Sequence, residues 1–203
     1  AAAGSSTLQA GRPAVAITFD DGFRSLFTEA LPVLREYNFS ATVFLATGFV
    51  GEKTDRRIFR PAGGNRQSAV EDCRTADLEC LVWEEVQEMS SAGIEFGSHT
   101  VTHPKLVDLS FDRIESEICD SRATIEHRLG KSAKSFCYPY AFPQTNRRFT
   151  EAIKTALLNA GYSSCSTTMV GCVRASDDAM QLRRLPANSL DDCALFEAKL
   201  SGS

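Results

Sequence analysis

The chain has 203 residues, of which 43% are hydrophobic and 24% are charged, proportions that fit one globular domain. Its formal net charge is -4 and its pI is about 5.5, so no basic surface is expected to recruit nucleic acid or anionic lipid. No apolar run approaches the roughly 18 residues that a membrane-spanning helix needs, and no transmembrane segment is predicted.

The chain opens with a small, polar stretch, and residues 1–13 are predicted to be a disordered lead-in. Two origins fit such a stretch, the removal of a signal sequence and a cloning remnant. Residues 14–203 are predicted to form a single domain, with a first strand at 14–20 in a run of apolar and β-branched residues. Apolar residues at helical spacing then predict a helix at 26–37, and a second apolar run predicts a strand at 41–47.

The middle of the chain begins with a polar segment at about 51–79, which has no sustained periodicity and is predicted to be an inserted loop. A helix is predicted at 83–92 and a strand at 94–98. A longer helix at 110–129 and a strand at 135–140 follow.

The last part of the chain continues the alternation of helices and strands. A helix is predicted at 150–160, strands at 162–168 and 181–186, and a short terminal helix at 191–200. Such alternation favours parallel strands joined by right-handed crossovers, and therefore an α/β sheet or barrel.

Three of the predicted strands are followed by residues suited to catalysis. Asp20 and Asp21 end the first strand. His99 and His103 follow the third, and a tyrosine-proline-tyrosine segment that ends at Tyr140 follows the fourth. Because functional groups gather at the carboxyl ends of the strands in α/β folds, these residues are predicted to share one site.

The spacing of His99 and His103, at i and i+4, is typical of metal-binding pairs. Together with one carboxylate they would give three protein ligands and leave a coordination position free for water, as in hydrolytic zinc sites. Consecutive side chains of an extended chain point in opposite directions, so Asp20 and Asp21 can address different targets, one a metal and the other a water. The simpler interpretations are an Asp-Gly turn and a polar loop with incidental histidines.

Three segments together resemble the polysaccharide deacetylase (NodB homology) domain of carbohydrate esterase family 4. They are the stretches TFDDG at 18–22, SHTVTH at 98–103 and FCYPY at 136–140. Their order and intervals match the family from about Val15 to about Pro186. The resemblance implies a distorted (β/α) barrel with mainly parallel strands, and metal-dependent removal of acetyl groups from sugars.

The resemblance also implies a role for each residue. Asp20 corresponds to the general base that takes a proton from the attacking water. Asp21 corresponds to the carboxylate that binds a divalent metal together with His99 and His103; zinc is the expected metal, with cobalt and nickel as alternatives. Tyr140 corresponds to the residue whose backbone N–H stabilises the oxyanion of the transition state.

The chain departs from this family pattern at two functional positions. Many members carry an arginine two residues before the proline, where it orients the base, and here that residue is Cys137. Arg183 and Arg184, in a late predicted strand, are candidates to supply the charge instead. The family's late histidine, which protonates the leaving amine, is also missing, because the last histidine of the chain is His127, expected on a helix surface.

The seven cysteines predict disulfide bonds and with them an oxidising, extracytoplasmic compartment. Two pairs at equal spacing could each close a small loop, Cys73 with Cys80 and Cys165 with Cys172. Cys137 lies in a predicted strand and is expected to be a core thiol rather than a nucleophile.

The sequence therefore predicts a metal-dependent hydrolase that removes acetyl groups from an acetylated carbohydrate polymer, most simply an N-acetylglucosamine polysaccharide. Tyr138 and Phe142 flank the predicted site and are candidates for contact with the sugar, although aromatic residues of a strand belong to the core by default. Three alternatives stay open: a non-catalytic carbohydrate-binding relative of the same fold, a hydrolase of O-acetyl esters, and a hydrolase of small non-sugar amides. The missing histidine bears on the choice, because an amine leaves poorly without a proton whereas an alkoxide needs less help.

Overall fold

The computed structural model describes residues 14–54, 78–188 and 190–201. Its strands, in chain order, are β1 (Thr18–Phe19), β2 (Thr42–Leu45), β3 (Lys53–Thr54), β4 (Leu78–Glu79), β5 (Glu95–Ser98), β6 (Ser135–Cys137), β7 (Ser164–Val170) and β8 (Leu182–Arg184). Six of them form one parallel sheet in the order β1-β2-β5-β6-β7-β8. The other two, β3 and β4, form a short antiparallel pair.

Helices lie between the strands of the main sheet, and a last helix follows β8. They are α1 (Leu31–Glu36), α2 (Trp83–Ser91), α3 (Phe111–Leu129), α4 (Arg147–Asn159) and α5 (Cys193–Ser201). A π-helical segment, Leu26–Ala30, leads into α1, and 3₁₀ turns lie at Thr47–Phe49, Leu106–Asp108 and Ala179–Gln181. Across the described ranges, none of the helices has the length and apolar character needed to cross a bilayer.

The main sheet is curled, and its two edge strands approach each other. Arg184 of β8 donates to both carboxylate oxygens of Asp20, at 2.7 and 2.8 Å, directly after β1. The same guanidinium lies 3.5 Å from the hydroxyl of Thr18 in β1. This curled half-barrel of six parallel strands confirms the predicted α/β fold of the distorted (β/α) barrel type.

Two apolar clusters stabilise the sheet, and α3 contributes to both. Ile114 and Ile118 pack in one cluster and Ile125 packs in the other, each at 1% exposure or less. Burial of a side chain of this size contributes about 1.5–3 kcal/mol relative to leaving it exposed. The helix that follows the two histidines in the chain is therefore a firmly anchored element.

The structure shortens the first predicted strand. Only two residues of the range predicted at 14–20 pair with β2, and Val15 is 66% exposed. An edge strand has a neighbour on one side only, so apolar composition alone does not determine where its pairing begins. The predicted inserted loop lies largely outside the described residues, and its two ends form β3 and β4. The predicted lead-in at 1–13 lies wholly outside them.

The predicted disulfide between Cys165 and Cys172 is wrong. The six cysteines within the described ranges are free thiols, with Cys165 buried and Cys172 exposed. Cys165 lies near the start of β7 and Cys172 lies two residues beyond its end, and the extended strand alone places the Cα atoms of Cys165 and Val170 about 16 Å apart. The two residues after the strand can recover at most about 7 Å of that separation. A disulfide needs Cα atoms within about 7 Å. The other predicted pair includes Cys73, which lies outside the described residues.

Candidate metal and catalytic site

The residues predicted to form a site meet in one cavity at the carboxyl ends of the strands. The cavity has a volume of about 460 Å³. Its lining includes all five residues to which base, metal and oxyanion roles were assigned: Asp20, Asp21, His99, His103 and Tyr140. The parallel pairing of the strands that precede them brings these residues to one edge of the sheet.

Asp20 and Asp21 lie on a tight turn directly after β1. The backbone of Asp21 has a φ of 74° and that of Gly22 a φ of 81°, and the Gly22 N–H donates to the Asp20 carbonyl at 3.0 Å. A Cβ at residue 22 would lie 2.6 Å from Leu45 Cδ2, so this position favours glycine on both counts. The turn directs Asp20 to Arg184 and Asp21 to the histidines. The Asp-Asp-Gly stretch at 20–22 is therefore a turn that also places two carboxylates in one cavity.

Asp21, His99 and His103 form a compact set of candidate metal ligands. Asp21 Oδ1 lies 3.5 Å from His99 Nε2 and 3.4 Å from His103 Nε2, and the two Nε2 atoms are 3.2 Å apart. A tetrahedral zinc ion with bonds of about 2.1 Å would hold its ligand atoms about 3.4 Å apart. His99 Nδ1 lies 2.7 Å from the Cys137 carbonyl, to which it donates its ring proton, so the Nε2 lone pair faces the other two groups. The three side chains fit a divalent cation.

The protonation states of these groups also suit a cation. Burial lowers the pKa of His99 from its usual 6.5, and burial together with the charge of His99 lowers the pKa of His103 to about 3. Both imidazoles are therefore neutral at physiological pH, the form that binds metal. Burial and the charge of Asp20 raise the pKa of Asp21 to about 7. A positive ion beside this carboxylate would favour its ionised form.

Left-handed backbone conformations are concentrated at the cavity. Three lining residues have positive φ values, Asp21 (74°), His103 (53°) and Tyr140 (60°), and so does Thr100 (70°), which follows the lining residue His99. Within the described part of the chain, Asn38 is the one other non-glycine residue of this kind. Each such conformation costs about 1–3 kcal/mol and persists only where the surrounding contacts enforce it. Strained backbone of this kind is typical of functional sites.

Asp20 is held by Arg184 in a bidentate ion pair. Besides its two bonds to the carboxylate, the guanidinium donates from Nε to the Thr167 carbonyl at 3.0 Å, which fixes its plane. Burial alone would raise the pKa of Asp20, but the hydrogen bonds from Arg184, the charges of His99 and Arg184 and the hydrogen bond from Cys137 together outweigh burial and hold this pKa below its usual value. Asp20 is therefore an oriented carboxylate at neutral pH.

Comparison with known proteins identifies the family. A family model described as polysaccharide deacetylase matches residues 8–163. The chain belongs to the polysaccharide deacetylase family. Among solved structures, the Streptococcus pyogenes deacetylase PplD in complex with acetate superposes with a TM-score of 0.70. That superposition covers 91% of this chain and 69% of PplD at 22% sequence identity, a likeness in fold.

Curated polysaccharide deacetylases match in sequence as well. The putative polysaccharide deacetylase YxkH of Bacillus subtilis is 26% identical over 171 residues, which cover 84% of this chain and 50% of YxkH. The poly-β-1,6-N-acetyl-D-glucosamine N-deacetylase of Staphylococcus aureus is 27% identical over 156 residues, which cover 72% of this chain and 46% of that enzyme. The chain thus spans about half the length of the curated relatives it matches.

One departure from the polysaccharide deacetylase pattern has a structural explanation. Cys137 replaces the arginine of the pattern, and its Sγ lies 3.6 Å from Asp20 Oδ1. Arg184, from the opposite edge of the sheet, brings a guanidinium to the same carboxylate. Arg183, the other candidate, is exposed, and its side chain lies along Gly171, because neighbouring residues of a strand face opposite sides.

The second departure, the missing late histidine, stands. His127 is exposed on α3, as predicted. The sequence contains three histidines, and the other two are the candidate metal ligands His99 and His103. The given sequence therefore offers no third histidine as a proton donor at this cavity.

The aromatic residues near the cavity differ in position. The Tyr140 ring packs against that of His103, with centroids 4.6 Å apart, and Lys105 Nζ lies 5.9 Å from the Tyr140 centroid. Tyr138 and Phe142 pack edge to face at 5.1 Å and are only 2% and 7% exposed. The predicted sugar contact is wrong for Phe142, which is a core residue and is not part of the cavity lining that the structure describes. Tyr138 borders the cavity, but its ring belongs to the same core cluster.

Glu117, a buried carboxylate beneath the two histidines, was not predicted from the sequence. Glu117 of α3 accepts hydrogen bonds from Val101 and Thr102, which lie between His99 and His103. The signal was a charged residue at helical spacing from Ile114, within an otherwise apolar stripe. Also missed was a segment of cavity wall, which consists of Lys105, Leu106, Val107 and Thr168.

Proposed function

We propose that this chain is a metal-dependent deacetylase that removes acetyl groups from an N-acetylglucosamine polysaccharide. The observation that carries the proposal is the triangle of Asp21, His99 and His103 ligand atoms, with sides of 3.2–3.5 Å, in the cavity that also contains Asp20. Zinc is the proposed ion, and cobalt and nickel are the alternatives. When bound, such an ion polarises the acetyl carbonyl and acidifies water.

Asp20 is the proposed general base. Its pairing with Arg184 supports this role, because the carboxylate is ionised and fixed in direction before substrate arrives. Asp20 takes a proton from the attacking water as the water oxygen bonds to the acetyl carbon. Such assistance is commonly worth about 10²–10⁴-fold in rate.

Tyr140 is the proposed oxyanion donor, through its backbone N–H. The residue borders the cavity with a φ of 60°, a conformation that turns the chain at the end of β6. Its carbonyl accepts from the Thr168 hydroxyl at 3.1 Å, and this bond holds the turn in place. A donor fixed in this way stabilises charge that develops only in the transition state, and losing one typically costs about 3 kcal/mol of barrier.

The leaving amine also needs a proton, and Asp20 is the proposed source. Once Asp20 has taken the proton of the attacking water, it can return that proton to the nitrogen as the carbon–nitrogen bond breaks. Acetic acid and an amine are then the products, the acid passes its proton to the amine to give acetate and an ammonium group, and Asp20 is a carboxylate again. The position of Asp20 in the cavity, outside the triangle of Asp21, His99 and His103, supports its use in both steps.

The substrate class rests on the relatives. The Staphylococcus aureus protein acts, by its name, on poly-β-1,6-N-acetyl-D-glucosamine. The missing histidine favours one second candidate, an O-acetyl ester, whose alkoxide leaves with less help. An extracytoplasmic location stays a proposal that cell fractionation tests, without support from disulfides, because the six cysteines in the described ranges are free thiols.

Acetate release separates these functions. The purified chain is stripped of metal, reloaded with zinc, cobalt or nickel, and assayed on N-acetylated and O-acetylated glycans and on a small non-sugar amide. We expect acetate release from the N-acetylglucosamine polymer only with metal, and about 10²–10⁴-fold slower release from the Asp20→Asn variant. Glycan binding without acetate release under every metal would instead support the non-catalytic alternative.

A further inference from the structure

Glu117 is a carboxylate buried beneath the loop that carries both candidate metal-binding histidines. It lies in the middle of α3 and is 3% exposed. Its Oε2 accepts from the backbone N–H groups of Val101 and Thr102, at 2.8 and 2.9 Å, and its Oε1 accepts from the Thr102 hydroxyl at 2.7 Å. One side chain therefore holds the loop between His99 and His103 by three hydrogen bonds.

The same loop is held from its other side by the segment that follows β2. The Thr47 N–H donates to the Thr100 carbonyl at 3.1 Å, and the Gly48 N–H donates to the Val101 carbonyl at 2.9 Å. The loop therefore donates to α3 and accepts from the end of β2. Its backbone groups are fixed from both directions, as buried peptide groups require.

This loop has a backbone that would not keep its shape unaided. Thr100 and His103 both have positive φ values, 70° and 53°. The Thr100 hydroxyl accepts from the His103 N–H at 3.0 Å, which ties the two strained residues together. Releasing the loop would let these residues return to ordinary conformations, and the two imidazoles would then lose the 3.2 Å spacing of their Nε2 atoms.

The helix contributes a second tie, one turn further along. Ser121 and Glu117 are spaced i, i+4 and so lie on the same face of α3. The Ser121 hydroxyl lies 2.5 Å from that of Ser98, the residue before His99. Because α3 is anchored in both apolar clusters, it is a rigid support for the whole segment.

We propose that Glu117 is a positioning residue of the metal site. It fixes the loop so that the Nε2 atoms of His99 and His103 keep the spacing that suits a divalent ion with Asp21. Its action is through acceptor geometry rather than through its charge. The inference rests on the proposed metal site, and metal affinity measured apart from turnover tests it.

Two substitutions at residue 117 separate geometry from charge. Glu117→Leu removes all three acceptor interactions while keeping a similar volume. Glu117→Gln removes the charge but keeps the pattern, because its amide oxygen can accept from both N–H groups and its amide nitrogen can donate to the Thr102 hydroxyl. Glu115→Leu is the matched control, since Glu115 is exposed on the same helix.

The readouts are zinc affinity, by competition with a chromophoric chelator, and the unfolding temperature of the metal-free protein. We expect Glu117→Leu to bind zinc about 10–100-fold more weakly, the usual cost of losing a residue that supports metal ligands. Glu117→Gln and Glu115→Leu should bind zinc within a few-fold of the unsubstituted protein, and excess zinc should restore part of the turnover of Glu117→Leu.

Thr102→Val is a milder variant, because Thr102 is exposed and only one of the three bonds is lost. It should lower zinc affinity by less than about tenfold, and it keeps the test decisive if Glu117→Leu does not fold. Unchanged zinc affinity in the folded variants, with only a lower unfolding temperature, would overturn the proposal. A Glu117→Gln protein that binds zinc as weakly as Glu117→Leu would also overturn it. Failure of the unsubstituted protein to bind any metal would instead contradict the proposed function.

Discussion

Arg184 and Asp20 join the two edges of the curled sheet through a bidentate ion pair, with distances of 2.7 and 2.8 Å. Arg184 belongs to β8 and Asp20 directly follows β1, so one interaction both closes the half-barrel and orients the proposed base. Arg184 is also held by the Thr167 carbonyl, which accepts a hydrogen bond from Arg184 Nε. The same ion pair therefore links the two edges of the sheet and fixes the orientation of the proposed base.

Replacing Arg184 with methionine should impair turnover more than substrate binding. Asp20 would then be buried without its cation, its pKa would rise, and its carboxylate would lose its fixed direction. We expect kcat to fall about 10–100-fold with little change in KM, and the acidic limb of the pH–rate profile to move to higher pH. Steady-state kinetics across pH measure both effects.

Arg183→Met is the matched control for that experiment, because Arg183 is adjacent in sequence but exposed on the other face of β8. It should leave kcat within a few-fold of the unsubstituted value. Arg184→Lys keeps the charge but not the planar fork, so it should recover only part of the lost activity. Equal losses in the Arg183 and Arg184 variants would show that the guanidinium of Arg184 has no special role.

Asp20→Asn should separate turnover from metal retention. The amide keeps the size of the side chain but cannot take a proton from water. We expect acetate release to fall by about 10²–10⁴-fold while zinc content stays near one ion per chain, as measured by elemental analysis. Loss of zinc from Asp20→Asn would mean that Asp20 is a ligand rather than the base.

The sequence was sufficient to bring the five central residues together, because each follows a strand and parallel strands end at one edge. It could not decide between Arg183 and Arg184, since that choice depends on which face of β8 turns inward. It also could not decide whether Phe142 contacts a sugar or packs in the core, because an aromatic residue that lines a site and one that packs behind it look alike in sequence. Glu117 was missed for a related reason: two of its three hydrogen-bond donors are backbone N–H groups of a loop, which leave no pattern in the residues.

Removing either imidazole should release the metal. His99 and His103 supply two of the three candidate ligand atoms, and both are buried. We expect His99→Ala and His103→Ala to retain little zinc after dialysis and to show background acetate release. His127→Ala, in the exposed third histidine, is the control and should retain both zinc and activity. A fully active His99→Ala protein would contradict the proposed mechanism.

The charge state of Asp21 should make the stability of the metal-free protein depend on pH. Its pKa is raised to about 7 from the usual 3.8, by burial and by the charge of Asp20. The folded protein therefore holds this proton more tightly than the unfolded chain does. The resulting stabilisation is fully present below about pH 4 and is lost as pH rises towards 7, by at most about 1.4 kcal/mol per pH unit.

Metal-free Asp21→Asn has no such proton to lose, so it should gain stability relative to the unsubstituted protein between pH 4 and 7. His103 acts in the opposite direction, because its pKa is lowered to about 3 and the unfolded chain binds the extra proton. That contribution is present in both proteins, so the difference between them reports mainly on Asp21. Urea unfolding after chelation, at several pH values in this range, measures the difference. At neutral pH, added zinc should make the unsubstituted protein the more stable of the two, since Asp21→Asn lacks a metal ligand. A stability difference between the two metal-free proteins that does not vary with pH would contradict the raised pKa of Asp21.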